Sequence, residues 1–536
     1  MARAITQDAF DECVLENEEE FGLEREESIL DAVRQFKAQG VDLSSIDTSG
    51  RQDLADARRE TAELVKQLKG FGENEDEDVI AAALCALATR CAGTGDLVTA
   101  AKAAVAATLG VDAAARFLGP NASEAVQREA LSCLRFVCQS HVTNRDHLDR
   151  HMARLVELLR EHSPSGSDGS GGSNSSNSSS SGADVTATTA DESRSGDADF
   201  TASALRLVRA GCIKSENNKT AFMRAGGATV LLGALCAHGN DAAAVRAACD
   251  TVRAITTGDD LRKDFSGAYD HVKSLVGKGA VANVLAAARQ YYDDAETVTA
   301  VYLALKQLAA NDESVKQIAE LGGVDLVVGA LRDFPADAAI CRAAAAVARN
   351  AAGNDACRDA LASGAGLDAL LAAMAATPGD ASLQEHGLAT LAALALRAPH
   401  NARRVAAAGG FEAILAAMRA HPAASALQRQ GCLAIRNAAA RCTELRQPLL
   451  DAGAEPLLRA AGANRSCVDE AYAALRDLGC EAVLVARDES TGAAVAAVQG
   501  FGDRKANFEP VVERSAGLER RVNEAAVAPA CAGFRL

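Results

Sequence analysis

Gly322-Gly323-Val324-Asp325-Leu326-Val327-Val328 is the stretch that decides the fold. A residue at positive φ ends one helix and turns the chain sharply, and the apolar cluster behind the glycine pair starts the next helix. The arrangement recurs as Gly226-Gly227 before Val230-Leu231-Leu232 and as Gly409-Gly410 before Ala413-Ile414-Leu415. Weaker copies stand at Gly279-Ala280, Ala365-Gly366 and Gly453-Ala454. The first members of these pairs, 226, 279, 322, 365, 409 and 453, are separated by 53, 43, 43, 44 and 44 residues. A period of about 40–47 residues is that of stacked helical repeats.

A second anchor holds the same register. Small, apolar and basic residues combine in Thr251-Val252-Arg253, Ala304-Leu305-Lys306, Val347-Ala348-Arg349, Leu391-Ala392 and Ala434-Ile435-Arg436. Positions 253, 306, 349, 392 and 436 each lie 27 residues after their own glycine anchor. One unit therefore reads as a short helix, the glycine turn, and a second helix with Leu235, Leu331, Met374 or Met418 nine residues after the anchor. A turn such as Phe334-Pro335-Ala336-Asp337 or Thr377-Pro378-Gly379-Asp380 then leads to a third helix carrying the basic position. One such unit cannot bury its apolar face alone, so neighbours must stack. The pattern extends to Cys85, Arg135 and Arg206 on one side and Arg476 on the other. The expected fold is all-α: an α-solenoid of about nine repeats over residues 78–485. No Trp, five Tyr and long Ala-rich runs agree with it.

Two interruptions are expected. The Ser/Gly/Asn run from Ser163-Pro164-Ser165-Gly166 to about Ser195 cannot form a core, so 163–196 is predicted to be a disordered loop inside one repeat. It lies between a second helix near Met152–Glu161 and a third helix at Ala202–Gly211. The 53-residue interval places about ten extra residues in Arg262–Val276. Residues 486–536, with little apolar periodicity, are predicted to be a flexible tail.

The net charge of −17 is uneven: residues 1–80 hold 22 Asp and Glu against 9 Lys and Arg. An acidic end and a nearly neutral body argue against nucleic-acid binding. In residues 1–77, Phe10, Val14 and Phe21, then Ile29, Val33 and Phe36, fall at helical spacing and predict amphipathic helices. Three placements fit them: capping the first repeat, binding a separate partner, or folding back on the basic residues. The fifteen cysteines, among them Cys85, Cys133, Cys249, Cys341 and Cys432, form no C-x-x-C pair and read as small buried hydrophobes. Met1 to Asn17 lacks a basic-then-apolar leader pattern, and no 18-residue uncharged apolar run follows. A soluble, monomeric protein of the cytoplasm or nucleus with no membrane partner is the expectation.

The glycine-pair and third-helix anchors resemble the armadillo-repeat superfamily. Ile5-Thr6-Gln7-Asp8-Ala9-Phe10-Asp11 through Phe36-Lys37-Ala38-Gln39-Gly40-Val41-Asp42-Leu43 is similar to the N-terminal region of the armadillo repeat-containing protein 6 family. Val245-Arg246-Ala247-Ala248-Cys249 and Ala474-Leu475-Arg476-Asp477-Leu478-Gly479-Cys480 resemble the same family. The resemblance implies a right-handed superhelix and a protein-interaction role, and it brings no catalytic residues. Importin-α-like relatives hold basic peptides with Trp and Asn on successive third helices. This chain has no Trp, and only Asn350 and Asn437 stand at positions that resemble the Asn.

The basic position holds Arg135, Arg206, Arg253, Lys306, Arg349, Arg436 and Arg476, broken by Cys85 and Ala392. Two readings stand. Either the residues form a concave ladder for acidic, extended or phosphorylated segments, since guanidinium groups bind carboxylates and phosphates bidentately, or each packs its stem and pairs with an acidic residue of the adjacent repeat. His147 and His151 share a helical spacing without a third ligand, and Gly277-Lys278-Gly279 lacks the rest of a phosphate loop. No catalytic residue, metal or cofactor is expected. The function expected is a non-enzymatic scaffold or adaptor for other proteins. A chaperone-like solenoid for client segments is the alternative, and an enzyme or enzyme subunit comes behind it.

Overall fold

The computed structural model describes residues 3–21, 25–43, 46, 52–72, 75–163, 186–480, 483–487 and 494–499. The chain forms two compact units, Met1–Leu155 and Val156–Leu536. The sequence placed a division near residue 77 instead.

In the Val156–Leu536 unit, one repeat shows how the sequence builds the rest. Asn311 caps Asp312–Glu320 by accepting a hydrogen bond from the Ser314 amide. Gly322, at φ 71°, turns the chain, and Gly323–Asp333 follows. Asp337 then caps Ala338–Ala351 by accepting from the amides of Ala339 and Ile340. These caps satisfy amides that have no partner within their helix.

Both members of the glycine pair have a reason. Gly226, Gly279, Gly322, Gly409 and Gly453 all have positive φ, between 71° and 95°. The second member lets the two helices touch: a Cβ on Gly323 would lie 2.7 Å from Ile318 Cγ2, and one on Gly410 2.5 Å from Val405 Cγ1. The Ala365-Gly366 copy departs from the expected turn. Here Ser363, at φ −61°, precedes a helix that already starts at Gly364, so no left-handed residue is used. Only the close approach survives, with a Cβ on Gly366 falling 2.6 Å from the Leu361 carbonyl oxygen.

The third helices, Thr186–Cys212, Ala242–Ile255, Ala295–Leu308, Ala338–Ala351, Ala381–Ala395, Ser425–Ala439 and Val468–Leu478, each pack on the next. Small residues allow this: Ala343, Ala344, Ala346, Val347 and Ala348 are all buried. The second-helix positions Leu235, Leu331, Met374 and Met418 are buried too. This unit is an α-solenoid.

The Met1–Leu155 unit contains the helices Gln52–Gly70, Glu77–Cys91, Asp96–Ala107, Gly110–Ala115 and Glu124–Cys138. Leu109, at φ 51°, takes the left-handed turn before Gly110. The acidic N-terminal helices Gln7–Phe21 and Arg25–Ala38 bury Phe10, Val14, Ile29 and Ala32 against each other, beside the short parallel strands Arg3–Ala4 and Val41–Asp42.

Several expectations are corrected. The central Ser/Gly run, residues 164–185, lies outside the described residues, but the helix beyond it already begins at Thr186. Thr186-Ala-Thr-Thr-Ala-Asp-Glu-Ser-Arg carries helix formers that the Ser-rich composition around it obscures. The long interval is filled by Thr256–Gly267, before the first helix Ala268–Gly277, so the added chain starts earlier than expected and only 262–267 fall in the predicted stretch. Across the expected start of the tail at 486, Val483–Arg487 pairs antiparallel with Ala494–Gln499, as a Val/Ala-rich run with alternating small residues allows; residues 500–536 lie outside the described residues. Cys85 is exposed, whereas Cys133, Cys249, Cys341 and Cys432 are buried as expected.

Candidate functional site

Every predicted basic position lies in a helix, and the surroundings differ from one to the next. In the Met1–Leu155 unit, Arg135 stacks 4.2 Å over the ring of Phe136. In the other unit, Arg253 pairs with Asp250 of its own helix at 2.9 Å. Asp250 also meets Arg209 of the preceding third helix at 3.6 Å. Arg349 reaches Glu385 of the next third helix at 3.3 Å, and Arg436 reaches Asp477 at 3.5 Å. Arg476 also rests on Asp477, at 2.9 Å. The side chains of Arg349, Arg436 and Arg476 remain 37–41% exposed, so each pair contributes only about 0–1 kcal/mol.

Both asparagines donate to backbone carbonyls of the preceding repeat. Asn350 donates to the Lys306 carbonyl at 3.0 Å and Asn437 to the Ala392 carbonyl at 2.8 Å. Each therefore ties its repeat to the equivalent third-helix position of the repeat before it, Lys306 in one case and Ala392 in the other.

Arg206 and Lys306 stand apart. Among the described residues their cationic groups have no carboxylate partner, and both side chains are half-buried on the third-helix face. Around Lys306 the charge is one-sided. Arg349 lies 3.4 Å from His386 Nδ1. Burial, then the nearby Lys306 and Arg349, push the His386 imidazole down to about 4, against a weaker opposite pull from Asp380. At neutral pH the cluster thus presents Lys306, Arg349 and a neutral imidazole against Glu385, which pairs with Arg349, and the more weakly acting Asp380.

A second row escaped the sequence reading. Arg246, Arg342 and Arg429 lie 20 residues after their anchors and reach forward to the start of the next third helix. Arg246 bonds Thr297 Oγ1 at 2.8 Å and lies 3.7 Å from Asp294. Arg342 lies 3.4 Å from Asp380, and Arg429 bonds the Ser466 carbonyl at 2.7 Å and lies 3.5 Å from Glu470. Arg289 and Arg419, ten residues after their anchors, donate to the carbonyls of Leu321 and Ala452, each just before a left-handed glycine. The same offset arithmetic picks out both rows, together with Arg332, which bonds Asp333 instead.

Other shifted groups serve joints between elements. The Thr297 hydroxyl and amide hold Asp294 below the usual carboxylate range, and Asn401 does so for Asp359. Burial pushes the Cys138, Cys249 and Cys432 thiols up to about 12, which keeps them protonated and unreactive. His151 is spent on Asp112 at 2.7 Å.

Residues 184–498 match the family model ARMC6, and residues 2–63 match the armadillo repeat-containing protein 6 N-terminal domain. Armadillo repeat-containing protein 6 of Homo sapiens is 31% identical over 298 residues, covering 55% of this chain and 52% of its own length; that of Pongo abelii matches equally. The chain thus spans about half the length of the curated relatives it matches. Among solved structures, the engineered protein NESG Target OR497 is similar with a TM-score of 0.52 at 20% identity, covering 78% of this chain and 98% of that one. A chain from the structure described as "A conserved phosphorylation switch controls the interaction between cadherin and beta-catenin in vitro and in vivo" gives a TM-score of 0.54 at 16% identity, covering 80% and 79%. These structural likenesses bear on the fold alone.

Proposed function

Because the chain belongs to the armadillo repeat-containing protein 6 family, we propose that it acts as a non-enzymatic protein-interaction scaffold, and that the third-helix face of its Val156–Leu536 unit holds an extended acidic segment of a partner protein. The observation that carries the finer reading is Lys306, an ammonium without a carboxylate partner among the described residues, beside Arg349 and the neutral His386. An aspartate, glutamate or phosphorylated residue laid there supplies the missing negative charge. Arg206, two third helices back, is a second open contact along the same row. Arg253, Arg436 and Arg476 serve mainly as supports, since each already meets a carboxylate.

The partner is a protein, not nucleic acid or membrane, and the chain works as a monomer in the cytoplasm or nucleus. The net charge of −17 supports the exclusion of nucleic acid. The reading is tested by fluorescence anisotropy of a labelled oligo-glutamate peptide on the full chain. Binding should weaken with added salt and with Lys306→Glu. Salt-independent binding, or a folded Lys306→Glu chain that binds as before, contradicts it.

A further inference from the structure

Five junctions between consecutive repeats of the Val156–Leu536 unit are three residues long: 213–215, 309–311, 352–354, 396–398 and 440–442. The junction between Ile255 and Ala268 uses twelve, Thr256–Gly267. The added chain is held by a buried ionic network. The Lys219 side chain, fully buried, donates to the Thr257 carbonyl and to Asp259 Oδ1, both at 2.5 Å. Asp259 Oδ2 accepts from the Lys214 amide at 3.0 Å. Asp260, with a side chain only 3% exposed, accepts from the Glu216 amide at 3.1 Å and from Arg262 Nε at 2.8 Å. Glu216 Oε1 accepts from the Gly267 amide at 2.7 Å and its Oε2 from Ser266 Oγ at 3.3 Å. The preceding first helix therefore grips the loop at its start, its middle and its end.

Taking these charges out of water is costly, and a plain connection does not need it, as the five short junctions show. What the network achieves is a fixed conformation for a loop whose largest apolar side chains face outward. Leu261 is 97% exposed and Phe265 89%, with Tyr269 61% exposed in the first turn of the next helix. Single exposed apolar residues are ordinary, but three within nine residues on a pre-ordered support form an interaction patch. Pre-ordering removes the entropy that a mobile loop loses on binding, and aromatic anchors contribute most of the affinity of such contacts.

From this we infer that Thr256–Gly267 is a rigid docking projection for an amphipathic helix of a partner protein, whose apolar face receives Leu261, Phe265 and Tyr269 and whose flanks are acidic. Charge selects that occupant. Asp259 and Asp260 are consumed by Lys219 and Arg262, whereas Lys214, Lys263 and Lys273 are exposed without a carboxylate partner among the described residues, against Asp264 and Asp270. A positive rim in a chain of net charge −17 is a local departure that acidic flanks complement. Area selects against a second copy of this chain: three side chains expose far less than the about 800 Å² per partner that a standard interface buries. The projection is separate from Lys306 and stands whether or not the acidic-segment reading does.

The test uses the full chain and two synthetic amphipathic helices with the same Leu/Phe face, one flanked by Glu and one by Lys. The Glu-flanked helix should bind more tightly. The double variant Leu261→Ser/Phe265→Ser should weaken it by about tenfold or more, while the melting temperature stays unchanged because neither side chain is buried. Lys263→Glu should erase the preference for Glu flanks. The inference is overturned if the double variant binds as wild type or if both helices bind equally. It is also overturned if the double variant instead abolishes binding to phosphatidylcholine/phosphatidylglycerol vesicles or dissociates a dimer in sedimentation.

Discussion

Two rows of cations run along the third helices of the Val156–Leu536 unit seven residues apart, and they have different surroundings. Arg246, Arg342 and Arg429 lie near the start of their helices, where the next repeat offers a cap carboxylate or carbonyl, and each reaches it. Arg206, Lys306 and Arg349 lie two turns further on, where the supply of carboxylates falls to one for Arg349 and, among the described residues, none for the other two. The residue type alone does not separate a structural cation from an available one. What separates them is the distance to the neighbouring repeat's first turn, which carries acidic caps at Asp294 and Asp380.

Both rows stand on the same core, so the largest effect comes from removing that support. Leu415, 1% exposed, replaced by Asp should cost several kcal/mol. Hydrogen exchange should rise most in Gly410–Ala420 and the helices beside it. Unchanged exchange there means that the repeat register is wrong.

Next in size is the forward row. Arg246→Ala, Arg342→Ala and Arg429→Ala combined should lower stability by about 1–2 kcal/mol, because half-exposed pairs contribute a few tenths to one kcal/mol each. Acidic-peptide affinity should stay within about twofold, since the removed charges lie away from Lys306. A variant that melts normally but loses the peptide exchanges the roles of the two rows. Asn350→Ala should cost about 1 kcal/mol through the lost bond to the Lys306 carbonyl. A thermal melt of that variant measures it.

The smallest effect is one of pH. The His386 imidazole is pushed down to about 4, below its ordinary value near 6.5, so the unfolded chain binds a proton that the native chain refuses. Its contribution to stability is therefore full above about pH 6.5 and is lost as pH falls toward 4. Urea midpoints for His386→Gln should show a shallower loss than wild type over that window. Parallel curves contradict the burial of His386 beside Lys306 and Arg349.

The repeat was legible because its punctuation is chemical: a left-handed turn needs glycine at Gly322 or Gly409, and the close approach behind it needs Gly323 or Gly410. Where another turn works, as at Ser363-Gly364, the motif misplaced the boundary. The basic positions were found on helices from spacing alone, but their roles depend on partners about 40 residues away, which spacing within one repeat does not register. Asn350 and Asn437 show this most clearly, since both bond backward to the preceding repeat. The exposure of Leu261 and Phe265 was hidden for a related reason. Nothing local marks an apolar residue as outward-facing until the grip of Glu216 and Lys219 on the loop is seen.

The central claim is that cations without a carboxylate on the third-helix face bind acidic segments while paired ones hold repeats together. The most direct test is the double charge reversal Arg206→Glu/Lys306→Glu in the full chain, with labelled oligo-glutamate anisotropy and thermal melting recorded on the same sample. The account predicts a loss of affinity of about tenfold or more at low salt, with the melting temperature unchanged, because these side chains contribute little to folding. Unaltered affinity in a normally melting variant would contradict it.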